Sequence, residues 1–544
     1  MFSYKNKRIL IVDDQKPFHV MLKTMLTNQG AKNISFADSA EHAAKLAHRR
    51  EFDIYLIDYN LGSGKNGSQL LDYLRYNQLI PSSALCFIIT GDNNKGMVLT
   101  AIEKAPDDYL MKPFSQTQLF NRLSKAADKK LALSGIFEAI SEKKYKHAIT
   151  LCESKIKNDK KYQSVCKSLL ADIFISSEDY EAAEKLLKKM VEKRPLVRAS
   201  ITLGKVYCLQ RKYSESIKIL KEVIFNNPLQ MEAYQWLSRA YKGAGELSKA
   251  LNILTHAANM THHSIEKHQE VALLAKEIDE HKVMLNSYQS ILQLSRNSFY
   301  PDPCHLANYI RSILNYANAQ DEMSERKEIL KQVNSTLYQS RFEEGRNKSF
   351  DFNSFDEICQ AKVFFSQGEP LKAKRRILNT LEKNESGVEE LDNTFLYESL
   401  FSLLDIGEFE YAEPYLEELE QRDIIDPTTQ VAISEQTGEI LEKRMNNFKV
   451  HNKLGIQAFS AKNYESALNH FNQALTLEPL NSIALLNCIQ AHIQLLKHSG
   501  EDDRQQHINN CHNSFKLLSN TQLPIEHAKR YNELQAEFKE ISRR

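Results

Sequence analysis

The sequence predicts two kinds of fold in one chain: a doubly wound α/β domain built on five parallel strands, then an all-α solenoid. Three observations predict it. Over roughly the first 125 residues, short apolar β-branched runs alternate with one-faced helical patterns. Near residue 128 the β signal stops. Beyond it, helical patterns recur with a period near 33 residues, which is the mark of a stacked-repeat architecture. A chain of 544 residues is too long for one core. The changes of pattern place domains at 1–127, 128–300, 301–350 and 351–544, the third an irregular helical connection and the last closed by a capping helix.

The strand candidates are "RILIVDD" (8–14), "NISFAD" (33–38), "FDIYLID" (52–58), "ALCFIIT" (84–90) and "DYLMKP" (108–113). Near-continuous apolar runs suit strands covered on both faces, as in parallel sheets. Between them, "KPFHVMLKTMLTNQG" and "SAEHAAKLAHRRE" space apolar residues as amphipathic helices do. Strands alternating with helices imply right-handed βαβ units.

In the helical part, Tyr180 and Tyr213 lie 33 apart, as do Pro195 and Pro228. Aligned on these, large residues fall at Phe174, Tyr207 and Tyr241, and small ones at Ala183, Ser216 and Ala250. The clearest copy is "KLGIQAFSAKNYESALNHFNQALTLEPLN", with Gly455, Ala467, Phe471, Ala474 and Pro479. This pattern resembles the tetratricopeptide repeat. Weaker copies occur at 136–160, 359–382 and 398–421, while 268–345 is helical but poor by that template.

Composition excludes several classes. Lys+Arg 71 against Asp+Glu 70 leaves no electrostatic footprint for nucleic acid or an anionic membrane. No apolar run is long enough to span a bilayer, and the N-terminus enters a strand pattern at once, so a cytoplasmic protein is expected. Eight scattered cysteines without a CxxC pair read as reduced, mostly buried thiols. The histidines at 256, 262, 263 and 268 lack ligand-spaced partners and read as solvated surface; "HINNCH" (507–512) is equally weak. "LGSGKNGS" (61–68) lacks phosphate-loop spacing, so Lys65 and its glycines read as a turn.

Polar residues mark the strand ends: Asp13 and Asp14, Asp58, Thr90, and Lys112 before Pro113. In a doubly wound sheet the carboxyl ends of neighbouring strands meet where strand order reverses, so these residues are expected in one crevice. Clustered carboxylates repel unless a cation sits among them. Oxygen ligands with room for water suit Mg²⁺. Lys112 and the Thr90 hydroxyl then suit phosphoryl oxygens, and no base stands by to activate water.

The run "ILIVDD…YLIDYNL…G…FIITG…DYLMKPF" resembles the receiver domain of bacterial response regulators, a flavodoxin-like fold, over about residues 5–125. The resemblance implies that Asp58 is the phospho-accepting aspartate, forming a 4-aspartylphosphate. It implies Mg²⁺ held by Asp13, Asp14, Asp58 and the main-chain carbonyl of Asn60. Thr90 then corresponds to the switch hydroxyl, Tyr109 to the aromatic switch and Lys112 to the conserved lysine of the family. This sequence departs from the family pattern in a loop after Asp58 one residue longer than usual, with Gly62 for the common Pro, in Gly91, and in Pro106.

The architecture resembles receiver–tetratricopeptide accessory regulators of the VieB kind. It implies a response regulator in a phosphorelay, not an enzyme beyond self-dephosphorylation, whose output is protein binding without a DNA-binding domain. The expected partners are a sensor histidine kinase or His-phosphotransfer protein and a protein or peptide ligand of the repeat surface, with no nucleic acid and no membrane insertion. The alternative is a phosphate sink that drains a kinase away from another regulator. A metal-dependent phosphatase is disfavoured by the missing base.

Overall fold

The computed structural model describes residues 3–542 except 63, 82, 92–105, 195, 262–263, 297–298, 300–301, 345–348, 384–386, 425, 499–500, 520 and 522. The helix expected between the fourth and fifth strands, Pro195, and the histidines at 262 and 263 therefore lie outside the described residues. By internal contacts the chain divides into two units, Met1–Pro301 and Asp302–Arg544.

The first unit begins with five parallel strands: β1 (Arg8–Val12), β2 (Asn33–Ala37), β3 (Ile54–Asp58), β4 (Leu85–Thr90) and β5 (Asp108–Met111). Their spatial order is β2-β1-β3-β4-β5, the flavodoxin-like order. Every residue of β3 and β4 is buried, which is why those runs are apolar without interruption. Alternate strand residues face opposite ways. Leu10, Val12, Tyr55, Ile57, Cys86 and Ile88 pack against α2 (Ala40–Arg49) and α3 (Gly67–Tyr76). Ile9, Ile11, Ile54, Leu56, Phe87 and Ile89 pack against α1 (Lys16–Asn28) and α4 (Gln116–Ser141).

Helix α4 belongs to two cores at once. Ser115 and Gln118 form a capping box at its start. Leu119 and Leu123 join the sheet core. Leu133, Ile136 and Ala139, further along the same unbroken helix, pack with Ala148, Cys152 and Leu170. Gly135, a possible break, is accommodated within it.

From α4 onward the first unit is a run of helical hairpins. Their second helices begin at Tyr145, Tyr180, Tyr213, Leu247 and His281, at intervals of 35, 33, 34 and 34. Each hairpin turns on one left-handed residue: Lys143, Glu178, Arg211, Gly245 and Asp279. In each, the N–H of the next residue bonds the carbonyl five positions back, as in Lys144 to Ala139 and Glu280 to Ala275. This is the Schellman arrangement that closes a helix. The turn at Asp279 shows that 265–295 continues the series although its side chains fit the repeat template poorly.

The second unit is also helical, from Pro303–Asn318 to Ile525–Ile541. The same turn recurs at Gly368, Gly407 and Lys462. At Gly455 a Cβ would come within 2.4 Å of the Phe471 ring, so only glycine permits that helix pair to close. Helix Asn393–Asp405 is almost wholly buried and packs on Pro303–Asn318, Phe352–Ser366 and Pro427–Gln436. The C-terminal helix contributes Leu534 and Phe538 to a core with Leu485, Ile489 and Phe515.

All eight cysteines are free thiols, seven of them buried. Among the described residues no helix is long and apolar enough to cross a membrane. The reading of the histidines as surface fails at His268, which is buried on the helix Ile265–Glu277; His256 is exposed and lies against Tyr234.

Candidate functional site

Strand order reverses between β1 and β3, and the polar strand ends gather there. Val12 pairs with Ile57, so Asp13 and Asp58 stand side by side one step beyond. Both are buried, at 1% and 4% exposure, whereas Asp14 faces solvent. Carboxylate oxygens of Asp13, Asp14 and Asp58 lie within 4.8 Å of one another. The Lys112 ammonium, at the end of β5, donates to Asp13 Oδ2 and Asp58 Oδ2, each at 2.7 Å. It also sits 3.9 Å from the centre of the Phe18 ring, a contact invisible to motif reading.

Three carboxylates share one ammonium here. Asp13 Oδ1 accepts from the Gln15 N–H, but Asp58 Oδ1 is buried without a hydrogen-bond partner. Burial pushes the Asp58 carboxyl up to about 6; Lys112 pulls it down, Asp13 raises it, and the Asn60 N–H lowers it. An ionisable oxygen left bare beside two like charges is a position that a hard divalent cation satisfies. The donor set therefore fits Mg²⁺, with Asp13, Asp14 and Asp58 as its carboxylate holders.

The other predicted residues are close by to differing degrees. Thr90 is buried at the end of β4, and its carbonyl accepts from the Lys112 N–H at 2.7 Å. Asn60 is exposed in the loop after β3, where its Oδ1 accepts from the Gly62 N–H. Tyr109 is half-buried against the core on the α2–α3 side.

The loop behind Asp58 is held more firmly than its glycines suggest. At Gly67, the first residue of α3, a Cβ would fall 2.0 Å from the Asp58 carbonyl oxygen; glycine alone lets α3 start against the end of β3. Gly62 has a left-handed backbone, with its Cβ position 3.2 Å from Asp14 Oδ2. Lys65 is not simply a turn residue. Its ammonium pairs with Glu41 of α2 at 2.7 Å and lies 5.0 Å from the Phe299 ring centre. Phe299 in turn stacks on Tyr73 of α3, centroids 4.3 Å apart. Sequence reasoning missed this clamp because Glu41 and Phe299 are remote in the chain.

Comparison with known proteins matches the N-terminal part of the chain. Residues 9–124 match the response regulator receiver domain family. The Bacillus subtilis transcriptional regulatory protein YvrH is 32% identical over 119 residues, 22% of this chain and 48% of that protein. The Vibrio cholerae chemotaxis protein CheY-3 is 28% identical over 121 residues, 22% of this chain and 92% of that protein. A CheY-like receiver structure from Methanospirillum hungatei aligns with 24% identity and a TM-score of 0.21, over 23% of this chain and 95% of that one. The N-terminal part of the chain is thus a receiver domain of the two-component response regulator kind, and a long all-helical region follows it. The chain spans about half of YvrH, and the similarity to both relatives covers about a fifth of this chain.

Proposed function

We propose that Asp58 accepts a phosphoryl group from a phosphohistidine and that the helical region, a tetratricopeptide-type scaffold, delivers the signal by binding protein. The observation that carries the reading is the gathering of Asp13, Asp14 and Asp58 around the single Lys112 ammonium, three carboxylates to one cation. In the transfer, an Asp58 oxygen forms a bond to phosphorus as the P–N bond of the donor breaks. The donor imidazole keeps the electron pair and picks up a proton. Mg²⁺, when bound by Asp13, Asp14, Asp58 and the Asn60 carbonyl, supplies positive charge to the transferring phosphoryl oxygens. Lys112 neutralises a further oxygen and Thr90 offers its hydroxyl to another. Tyr109 then shifts inward as the aromatic switch, moving a two-state equilibrium.

The donor is a sensor histidine kinase or a His-phosphotransfer protein, and the output ligand is a protein or peptide segment. Support for coupling comes from α4, which joins the sheet core and the first hairpin without a linker. The test is incubation of the full chain with acetyl phosphate and Mg²⁺, wild type against Asp58→Ala, read by intact mass. One added phosphoryl group lost in the variant supports the acceptor role, and no addition to the wild type refutes it. Pulldowns with both proteins then decide the output. Phosphorylation-dependent capture supports the adaptor reading, and rapid turnover of the aspartyl phosphate without capture favours the phosphate sink.

A further inference from the structure

Three helices of the second unit start around one cavity of about 180 Å³. Asp302, Asp392 and Asp426 are the N-caps of Pro303–Asn318, Asn393–Asp405 and Pro427–Gln436. With Asp423 they place four carboxylates on its wall, and no lysine or arginine is among the described residues that line it. Beside it stand Cys304 and His305. The Cys304 sulfur, the His305 ring nitrogen and an Asp426 carboxylate oxygen lie mutually within 4.8 Å.

Capping duty accounts for much of Asp426. Its Oδ2 accepts from the Thr429 N–H and Asn308 Nδ2 at 2.8 and 2.9 Å, and from the Thr428 and Thr429 hydroxyls. It does not account for a thiol and an imidazole arriving at the same carboxylate from another helix. Distances decide between a chance meeting and a ligand set. With Zn–S near 2.3 Å and Zn–N and Zn–O near 2.0–2.2 Å, the edges of a tetrahedral site are about 3.4–3.6 Å. Cys304 Sγ and His305 Nδ1 are 3.7 Å apart, close to such an edge, and the Asp426 edges, within 4.8 Å, require at most about 1.4 Å of closure.

We propose that Cys304, His305 and Asp426 form a zinc site, its fourth position open to water or to a carboxylate of the cavity. Mixed sulfur, nitrogen and oxygen donors select zinc over magnesium or calcium. On binding, the Cys304 S–H bond is lost to a Zn–S bond and the proton passes to solvent. The ion clips the start of Pro303–Asn318 to the start of Pro427–Gln436 and neutralises the acidic cavity. It is independent of the receiver chemistry and makes the second unit's stability sensitive to zinc.

The experiment is titration of chelator-stripped full-length protein with Co²⁺, then Zn²⁺, with Mg²⁺ in excess to occupy the receiver carboxylates. One equivalent of Co²⁺ is expected to produce a thiolate-to-cobalt absorption band that Zn²⁺ abolishes, and Zn²⁺ is expected to raise Tm by at least about 2 °C. Cys304→Ser is expected to remove the band. His305→Gln is expected to weaken binding at least about tenfold while keeping the helical circular dichroism, should the first variant misfold. Absence of the band in the wild type, or a band and Zn²⁺ affinity unchanged in both variants, overturns the proposal.

Discussion

Two buried carboxylates make an instructive pair. Asp58 in the sheet domain and Glu408 in the second unit are both almost inaccessible, both meet a lysine at 2.7 Å, and each keeps one oxygen without a hydrogen bond. The charge around them differs. Glu408 has Lys374 to itself, and its Oε1 also accepts from the Ser482 N–H and hydroxyl, while Lys374 bonds the Leu480 carbonyl. That network pairs one carboxylate with one ammonium and links distant helices. Asp58 shares Lys112 with Asp13 and stands near Asp14, leaving two negative charges in excess. A bare oxygen alone marks neither site. Excess charge at a strand end does, because it leaves a place for a cation and an incoming electrophile.

The largest expected contrast is in chemistry. Asp58→Ala is expected to lose all phosphoryl incorporation from acetyl phosphate, whereas Glu408→Gln keeps it, as intact-mass measurement checks. Next is stability. Lys374→Met strands the Glu408 charge, and urea unfolding is expected to show a loss of about 3–5 kcal/mol. Adding Glu408→Leu is expected to recover most of it; failure to do so would mean that Lys374 matters through packing.

A smaller effect has the opposite sign. The Asp58 carboxyl is raised to about 6, so the folded chain holds that proton more tightly than the unfolded chain. Its stabilising contribution is present below the usual carboxylate range and disappears as pH rises through 6. Asp58→Asn is therefore expected to stabilise the protein by about 1–3 kcal/mol at pH 8. The gain is expected to shrink toward pH 4 and on addition of Mg²⁺, by thermal unfolding. The smallest effect is in the backbone: Arg211→Gly relieves a left-handed residue and is expected to add about 0.5–1 kcal/mol.

The same physics explains what was readable in advance. Asp13, Asp14, Asp58, Thr90 and Lys112 lie at or just past strand ends, so topology brings them to one edge of the sheet and the strand pattern locates each one. Helical repeats were legible where small residues such as Ala250 and Gly455 recur. The hairpin at Asp279 was not, because the expected turn signal is glycine and, among the described residues, five of the eight left-handed helix-closing turns named above hold Lys, Glu, Arg or Asp. The zinc ligands were hidden for another reason: Cys304 and His305 meet Asp426 only through tertiary folding. His268 looked polar, yet burial on its helix depends on what packs over it.

Helix α4 has a consequence for how such a chain can vary. Each residue added to or removed from an α-helix turns everything beyond it by about 100° and slides it by about 1.5 Å. Because α4 is continuous from Leu119 to Ala139 across two cores, the hairpin stack is indexed to the sheet like a gear on a shaft. Variation in its middle is tolerable only in steps near whole turns, about seven residues for two. Single-residue changes would turn the hairpin stack out of phase with the end of the sheet that carries Asp58.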